Sequence, residues 1–515
     1  MAIRASSSTE RACKRPSKFR IDYLFAGFNH RLPAIEPFDP TDHVIRSNVF
    51  EEVKEPLRKE KGPSHRLYWC RASERCGIDG NGRPSYKAGT DDQHRGVEHQ
   101  RGMESPGKHN APRSMKPDVI VVGGGVVGCS ICYRLARTGR RVLLLEKRGL
   151  AAGASGRNGG MIGVGSSLHS SAGKATYALN SANLDLVQGL PEELGVDFEL
   201  RQPGSLTVAT TPAHAAQLQD SVVQQRAAGL DVRWLDRADA QSLMPALTDA
   251  ILGAEFTLRS GHLWPFALVN GFAAAAKLHG ATIRTGVTVE HLARRGEQVI
   301  GVVANGETIE TAHVVLATNA YTPLLLPELP TGAIVPARGQ ILVTQPVPPI
   351  LPHSFSTNFD KEYGRQTPGG QILCGGFRRL DADEGLGHYE ERVSPEVLAG
   401  IAGCLTTLFP KLAGINVVRA WAGIMGFTAD GLPLIGRVPG TPGLFVAAGF
   451  NGGGFSWATI VGKVMPDLLD RRDTGFDLTP FDPGRFATGG TAWSNPFTAG
   501  ERSTAVESLT STGTS

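Results

Sequence analysis

The first sustained pattern in the chain is a run of four apolar residues from 119 to 122, which is typical of a strand buried on both faces of a parallel sheet. A glycine loop follows it. Apolar residues then recur on one face of a predicted helix, at Val127, Ile131 and Leu135. A second apolar run from 142 to 145 ends at Glu146. Together these elements predict a complete β-α-β unit.

Later segments predict two further kinds of structure. Residues 265–278 are rich in alanine and predict a helix, and residues 281–318 predict short strands with a hairpin at Asn305-Gly306. Residues 200–255 and 336–420 alternate between apolar and polar positions and contain many turn signals. This alternation favours an antiparallel sheet in a second domain.

The two ends of the chain differ from this body. Residues 1–115 show no sustained periodicity and predict a largely disordered extension, and residues 476–515 predict a C-terminal tail. The first twenty residues hold six Lys and Arg and one acid, which is similar to a mitochondrial presequence. The alternative is a translated leader that plays no part in an enzyme beginning at Met115.

Charge and cysteine content narrow the class of protein. The first 115 residues carry 21 Lys and Arg against 15 Asp and Glu, and the other 400 carry 32 against 34. A nearly neutral body argues against a nucleic-acid partner, because such binding needs clustered cations. The seven scattered cysteines favour a reducing compartment, so we expect a cytoplasmic protein, with a mitochondrial one as the alternative. No ligand cluster predicts a metal site, and no segment predicts an integral membrane span.

The glycine loop Gly123-x-Gly125-x-x-Gly128 is the first motif that carries chemistry. Its glycines permit a tight turn, close approach of a pyrophosphate, and close packing of the helix on the strand. The helix N-terminus then offers free N–H groups to phosphates. Glu146 follows the second strand, where a carboxylate accepts the ribose hydroxyls and disfavours NADP. The unit therefore predicts a dinucleotide site without distinguishing FAD from NAD.

Three more segments favour FAD. The small-residue run 152–160 follows the second strand, and there Ser155 and Asn158 are able to donate to a phosphate or to the flavin. Residues 317–320 end a buried strand, where open α/β sheets bind ligands. Near the C-terminus, a strand, the turn 449–454 and a helix form a second glycine-turn helix start. Two such starts more than 300 residues apart suit the two ends of one long cofactor.

These motifs, together with the run from Trp421-Ala422-Gly423 to Asp430-Gly431-Leu432-Pro433, resemble the D-amino-acid oxidase superfamily over residues 117–470. The resemblance is closest to the glycine and sarcosine oxidase, opine oxidase β-subunit and D-amino-acid dehydrogenase branch. It implies an α/β fold, in which a Rossmann-type FAD-binding domain built from discontinuous segments carries an inserted antiparallel-sheet substrate domain. It also implies oxidation of the C–N bond of an amino acid or N-substituted amine. The resemblance further implies that a hydride passes to flavin N5 and that water hydrolyses the resulting imine.

The domain boundaries follow from this resemblance. We expect the FAD-binding domain to comprise residues 116–200, 256–335 and 420–475, and the substrate domain to comprise 201–255 and 336–419. The residues expected to contact the cofactor are Gly123, Gly125, Val126, Val127, Gly128, Glu146, Lys147, Ser155, Arg157, Asn158, Gly159, Val287, Thr318, Asn319, Asn451, Gly452 and Gly453.

The chain departs from the resembled pattern at Met425, where glycine oxidase-like members carry an arginine that pairs with the substrate carboxylate. A thioether cannot replace a bidentate guanidinium. Either another cation reaches the site, or the substrate is not a simple α-amino acid. The candidate cations are Arg338, Arg365, Arg378 and Arg419. Trp421, Met425, Arg338 and Arg365 form the expected substrate-contacting set, and the sequence singles out no catalytic residue.

Two alternatives remain open from the residues alone. The same flavin frame also suits an FAD-dependent dehydrogenase of a 2-hydroxy acid or other alcohol. The other alternative is a flavoprotein subunit that is active only with a partner.

Overall fold

A computed structural model of the chain describes residues 116–164, 170–357 and 362–486. The predicted extension 1–115 and the tail beyond 486 lie outside the described residues. The strands of the described part are β1 Val119–Val122, β2 Val142–Glu146, β3 Met161–Ile162, β4 Ser205–Ala209, β5 Val232–Asp236, β6 Gly253–Thr257, β7 Gly261–His262, β8 Thr282–Thr285, β9 Val289–Arg295, β10 Gln298–Ala304, β11 Glu307–Glu310, β12 His313–Leu316, β13 Val335–Thr344, β14 Ser354–Thr357, β15 Tyr363–Gln366, β16 Ile372–Gly375, β17 Val417–Phe427, β18 Leu434–Arg437 and β19 Leu444–Ala448. Its helices are α1 Val126–Arg137, α2 Ser171–Leu194, α3 Pro212–Ala227, α4 Arg237–Leu243, α5 Pro265–Leu278, α6 Thr322–Leu325, α7 Pro395–Leu408 and α8 Gly454–Asp470.

A six-stranded sheet carries the predicted β-α-β unit. Its strand order is β18-β19-β12-β1-β2-β8, with every pair parallel except β18 and β19. In β1, Val119 and Val121 pack against helices α1, α5 and α8, while Ile120 and Val122 pack against the small antiparallel sheet β9–β11. Because both faces are covered, its central strands are apolar at nearly every position, as the sequence pattern indicated.

The predicted second sheet is present and has eight strands in the order β17-β13-β16-β15-β14-β4-β6-β5. Its neighbours are antiparallel apart from the parallel pair β4 and β14. Helices α4 and α7 contribute to a separate apolar core against it. The α/β fold with an added antiparallel sheet is thus confirmed.

The domain boundaries stay a prediction, and two observations bear on them. Strand β17 crosses the proposed boundary at residue 420 and pairs with β13 along its length, from Val417 to Phe427. Its Ala- and Gly-rich middle shows little alternation, which hid the strand in the sequence. Phe481 and Phe486, inside the predicted tail, are 0% and 5% exposed, so that segment begins with packed residues.

Candidate active site

A cavity of about 610 Å³ lies where the parallel strands of the six-stranded sheet end, and it extends beneath β13 and β17 of the second sheet. Cavities that hold cofactors and small molecules span about 300–1,000 Å³. Its wall includes residues that follow β1, β2, β12 and β19. This is the edge at which open α/β sheets bind their ligands.

The glycine loop forms one end of the cavity wall. Gly123 has φ +112°, and a Cβ placed on it would lie 2.5 Å from the carbonyl oxygen of Ala317. A Cβ on Gly128 would lie 2.0 Å from the carbonyl oxygen of Gly123. Gly128 is not on the cavity wall itself, and its role is to let α1 pack against the turn. Gly125, Val126 and the rest of the turn therefore present backbone to the cavity.

Two polar side chains hold this loop in place. Glu146 accepts hydrogen bonds from the backbone N–H of Gly124 at 2.7 Å and of Arg148 at 2.8 Å. Ser155 Oγ accepts from the N–H of Val126 at 2.9 Å. A carboxylate has about four acceptor positions, so Glu146 keeps capacity for ribose hydroxyls. Val127 and Val287 also line the wall.

Lys147 lines the same end and lies over an aromatic ring. Its Nζ is 3.7 Å from the centre of the Tyr321 ring. Burial, and then the nearby charge of Arg148, lower the pKa of Lys147. The ammonium is thus held in a fixed place by a cation–π contact beside the loop.

The small-residue run after β2 is shaped mainly by its own side chains. The Asn158 amide donates to the carbonyl oxygen of Ala154 at 2.7 Å and accepts from the N–H of Gly160 at 2.7 Å. Arg157 donates to the carbonyl oxygen of Ala422 at 2.9 Å, which ties the run to β17. Asn158, Arg157 and Gly159 all line the cavity. The Asn158 side chain is thus engaged with the loop, whereas the sequence suggested donation to the cofactor.

The second glycine turn forms the opposite end. Asn319 Oδ1 accepts from the N–H groups of Gly449 and Phe450, at 3.0 and 3.2 Å. Asn451 has φ +51° and accepts from the N–H of Thr428 at 2.9 Å. These asparagines fix the turn, so that the α8 N-terminus meets the cavity. Thr318, Asn319, Asn451 and Gly452 line the cavity, whereas Gly453 caps the helix from behind the wall.

These observations together test whether the residues present fit FAD. The cavity has a helix N-terminus at each end, α1 and α8, and both supply N–H groups without intrahelical partners. The glycine cradle leaves no room for side chains between the loop and Ala317. The chemistry and the shape fit a long dinucleotide.

A family model described as FAD dependent oxidoreductase, DAO, matches residues 118–468. The chain belongs to the DAO family. It is therefore an enzyme, an FAD-dependent oxidoreductase, as the glycine and Trp-Ala-Gly motifs indicated.

Three relatives illustrate the likeness of this DAO-family chain to known proteins. It is 31% identical to glycine oxidase of Geobacillus kaustophilus (strain HTA426) over 369 residues, 71% of this chain and 96% of that protein. It is 29% identical to sarcosine oxidase subunit beta of Arthrobacter sp over 383 residues, 72% of this chain and 91% of the subunit. The crystal structure of L-proline dehydrogenase from P. horikoshii matches with a TM-score of 0.66 and 26% identity, covering 73% of this chain and 99% of that one.

The second sheet of the DAO-family enzyme supplies the roof of the cavity. Met425 lines it, and a Cβ on Gly339 would lie 2.6 Å from the Met425 methyl carbon. The sulfur of Met425 lies next to Gly452, 3.5 Å from the Cβ position there. Met425 therefore lies between the roof and the turn before α8. It occupies the position at which the resembled enzymes carry an arginine.

The structure does not bring the other expected substrate contacts to the cavity. Arg338 is 2% exposed, and its Nε and Nη2 donate to Asp381, each at 2.7 Å. Arg365 donates to the backbone carbonyls of Gly159 and Leu263. Trp421 is also off the cavity wall. Arg338 and Arg365 have structural partners, so neither is retained as a substrate ligand, and nor is Trp421.

Four more side chains lie on the roof side of the cavity, and of these the sequence had pointed only to Arg378, as a candidate cation. Tyr363, Arg378, Arg379 and Glu384 line this part. Burial raises the pKa of Tyr363. Burial also lowers the pKa of Arg378 to about 10, while the carboxylates of Glu384 and Asp381 act in the opposite direction. Arg378 thus remains a cation at neutral pH. Arg378 follows an irregular turn, so the hydrophobic periodicity of the sequence could not indicate that it lines the cavity.

An irregular segment of the roof, residues 386–394, also reaches the six-stranded sheet. Glu391 forms a two-bond ion pair with Arg148 at 2.9 and 3.0 Å, and lies 3.0 Å from Arg157. Tyr389 donates to the carbonyl oxygen of Ala320 at 3.1 Å. Burial raises the pKa of Glu391, but hydrogen bonding to Arg148 and the surrounding cations outweigh it, so the net pKa is lowered. The segment therefore fastens the roof to the glycine-loop end.

None of the helices in the described part of the chain combines the length and apolar character needed to cross a bilayer.

Proposed function

We propose that this FAD-dependent oxidoreductase oxidises the C–N bond of an amino acid or N-substituted amine. The observation that carries the proposal is the continuity of the cavity from the α1 N-terminus to the α8 N-terminus, beneath a roof that presents both apolar and charged side chains. The names of the relatives support the substrate class, because glycine, sarcosine and L-proline are all amino acids or N-substituted amino acids.

FAD bound in this cavity would supply the oxidant for removal of a hydride from the carbon next to the substrate nitrogen. The glycine loop would supply backbone donors for the pyrophosphate, and Glu146 would accept hydrogen bonds from the ribose hydroxyls. At the other end, the N–H groups of Gly452 and Gly454 and the positive end of the α8 dipole favour negative charge. These groups would stabilise negative charge on the cofactor at this end of the cavity. The reaction at the substrate carbon would then depend on how the substrate is aligned.

The apolar side chains of the cavity wall favour one protonation state of the substrate amine. Tyr363, Phe427 and Phe455 line the cavity together with Met425 and present apolar surface to it. Contact with apolar surface in place of water lowers the pKa of an amine, because desolvation disfavours its charged form. A neutral amine has the lone pair that assists hydride loss, whereas an ammonium has none. The wall therefore favours the reactive form, with no acid–base side chain required.

A substrate screen tests the proposal. The full chain is purified with its flavin and mixed with sarcosine, glycine, proline, D-amino acids and 2-hydroxy acids, with and without oxygen. We expect at least one amine to bleach the flavin. Bleaching by a hydroxy acid and by no amine would instead support the alcohol dehydrogenase, and a folded chain that takes up no FAD would reject both.

A second candidate is a flavoprotein subunit that needs a partner, which is favoured by the name of one relative, sarcosine oxidase subunit beta. The same screen separates it from the first, because a flavin that chemical reductants bleach but no substrate bleaches would indicate a missing partner. Size-exclusion chromatography of the protein from its own source then shows whether a second chain co-elutes.

A further inference from the structure

Helix α8 begins at the cavity with little in its own sequence to fix its first turn. Gly452 and Gly453 precede it, Gly454 opens it, and no side chain caps it. Glycine loses more conformational freedom on folding than any other residue, so a helix start built from glycines is weakly fixed by local preference. Gly454 and Phe455 nevertheless line the cavity wall. Contacts from outside the helix must therefore hold this turn in place.

Asn183 on helix α2 supplies such contacts. Its side-chain amide donates to the carbonyl oxygen of Phe455 at 3.1 Å, and it accepts from the N–H groups of Thr459 at 2.9 Å and Ile460 at 3.1 Å. Phe455 and Thr459 are four residues apart, so their carbonyl and N–H are the two groups that an α-helix pairs with each other. The amide of Asn183 thus bridges the first hydrogen-bonded turn of α8 from the side.

The surroundings of Asn183 make these three hydrogen bonds obligatory. Asn183 is 0% exposed, and its neighbours on α2, Leu179, Leu184 and Val187, belong to the apolar core. A polar side chain in such a core is costly unless its hydrogen bonds are made. Because any shift of α8 away from α2 would leave the amide unpaired in this core, the bonds fix the first turn of α8 relative to α2.

We infer that Asn183 is a positioning residue, which directs the first turn of α8 towards the cavity and so tunes how well negative charge on the bound flavin is stabilised. The inference rests on the proposed function for the placement of the flavin ring at this end. A helix leaves its first N–H groups without intrahelical partners, and hydrogen bonds weaken steeply when they are misaligned. A turn released from Asn183 would direct these groups less well. The reduced flavin carries the added charge, so it would lose more stabilisation than the oxidised flavin.

The midpoint potential of the flavin in the holoenzyme, measured by equilibration with a reference dye, tests this inference. Asn183→Ala should make reduction less favourable by about 2- to 5-fold, the size of typical helix-terminus effects, which lowers the potential of a two-electron couple by roughly 10–20 mV. Asn180→Ala is the matched control, because Asn180 lies one turn earlier on α2 and is 3% exposed. Its Nδ2 has no hydrogen-bond partner among the described residues, so its removal should leave the potential unchanged.

A potential in Asn183→Ala equal to that of the unaltered enzyme would overturn the inference, as would an equal fall in Asn180→Ala. If Asn183→Ala does not fold, Asn183→Ser decides in the same way, with Asn180→Ser as its control, because a serine hydroxyl keeps a polar group but is too short to bridge the turn. The potential is measured without substrate, which separates the inference from the proposed function. If the potential falls as expected but no amine bleaches the flavin, the proposed function fails while the role of Asn183 stands.

Discussion

The ion pair between Arg338 and Asp381 provides a quantitative test of how the roof is built. Asp381 accepts hydrogen bonds from Arg338 Nε and Nη2 at 2.7 Å, from Gln340 Nε2 at 2.9 Å and from the Ala382 N–H at 3.0 Å. The side chains of Arg338 and Asp381 are each 2% exposed. Asp381→Asn would leave a buried guanidinium without its counter-charge, which costs about 3–5 kcal/mol. Glu390, 3.8 Å from Arg338, is 65% exposed and compensates little.

The assay is urea denaturation followed by tryptophan fluorescence, with Asp383→Asn as the control. Asp383 is in the same turn with an 82% exposed side chain, and asparagine suits its left-handed φ of +49°. We expect Asp381→Asn to lower the free energy of unfolding by about 3–5 kcal/mol. Asp383→Asn should leave the free energy of unfolding almost unchanged. If Arg338 were a substrate ligand, the result would be reversed: Asp381→Asn would be as stable as the control and would change KM instead.

The same pair predicts a dependence of stability on pH. Burial raises the pKa of Asp381, but hydrogen bonds and the charge of Arg338 outweigh it, so its pKa in the folded state is below the usual 3.8. A lowered carboxyl pKa contributes stability above the unfolded value, and that contribution is lost as pH falls through the folded value. Asp381→Asn should therefore narrow the difference in stability between pH 7 and pH 3. An unchanged difference would contradict this reasoning.

Three further predictions concern the cofactor site. Gly128→Ala places a methyl 2.0 Å from the carbonyl oxygen of Gly123 and should abolish flavin retention on gel filtration, whereas Gly149→Ala, with no atom within 4 Å, should retain it. Glu391→Gln removes the carboxylate charge that pairs with Arg148 and Arg157, and it should speed FAD dissociation in stopped-flow fluorescence by about 3- to 10-fold. A rate equal to that of Glu390→Gln would argue against a fastening role. Asn319→Ala deprives the N–H groups of Gly449 and Phe450 of their acceptor and should lower the free energy of unfolding by about 1–3 kcal/mol; unaltered stability in urea would mean that the turn does not depend on this amide.

Local patterns predicted the parts of the fold that depend on local physics. Helix α5 occupies Pro265–Leu278 as predicted, because proline suits its first turn and alanines favour its interior. The hairpin at Asn305 and Gly306 has both residues at positive φ, as its dipeptide indicated. Both glycine turns precede helices that begin at the cavity.

Long-range partners were beyond the reach of such patterns. Arg338 and Asp381 are 43 residues apart, and Arg148 and Glu391 are 243 apart, so no spacing linked them. Arg338 therefore appeared as a substrate ligand although its charge is already paired inside the roof. Arg378 stood among four equivalent arginines until the structure placed it on the cavity wall. Periodicity identifies elements, whereas the pairing of charges depends on how those elements pack.

The proposal of C–N oxidation is tested most directly by anaerobic reduction of the holoenzyme with matched pairs of substrates: glycine against glycolate, and alanine against lactate. Each amine is also supplied with deuterium on the carbon next to the nitrogen. We expect an amine to bleach the flavin, its hydroxy acid to leave it oxidised, and deuterium to slow the bleaching. Reduction by the hydroxy acid alone, or bleaching by the amine at a rate that deuterium does not alter, would contradict hydride transfer from an amine carbon as the step that this cavity supports.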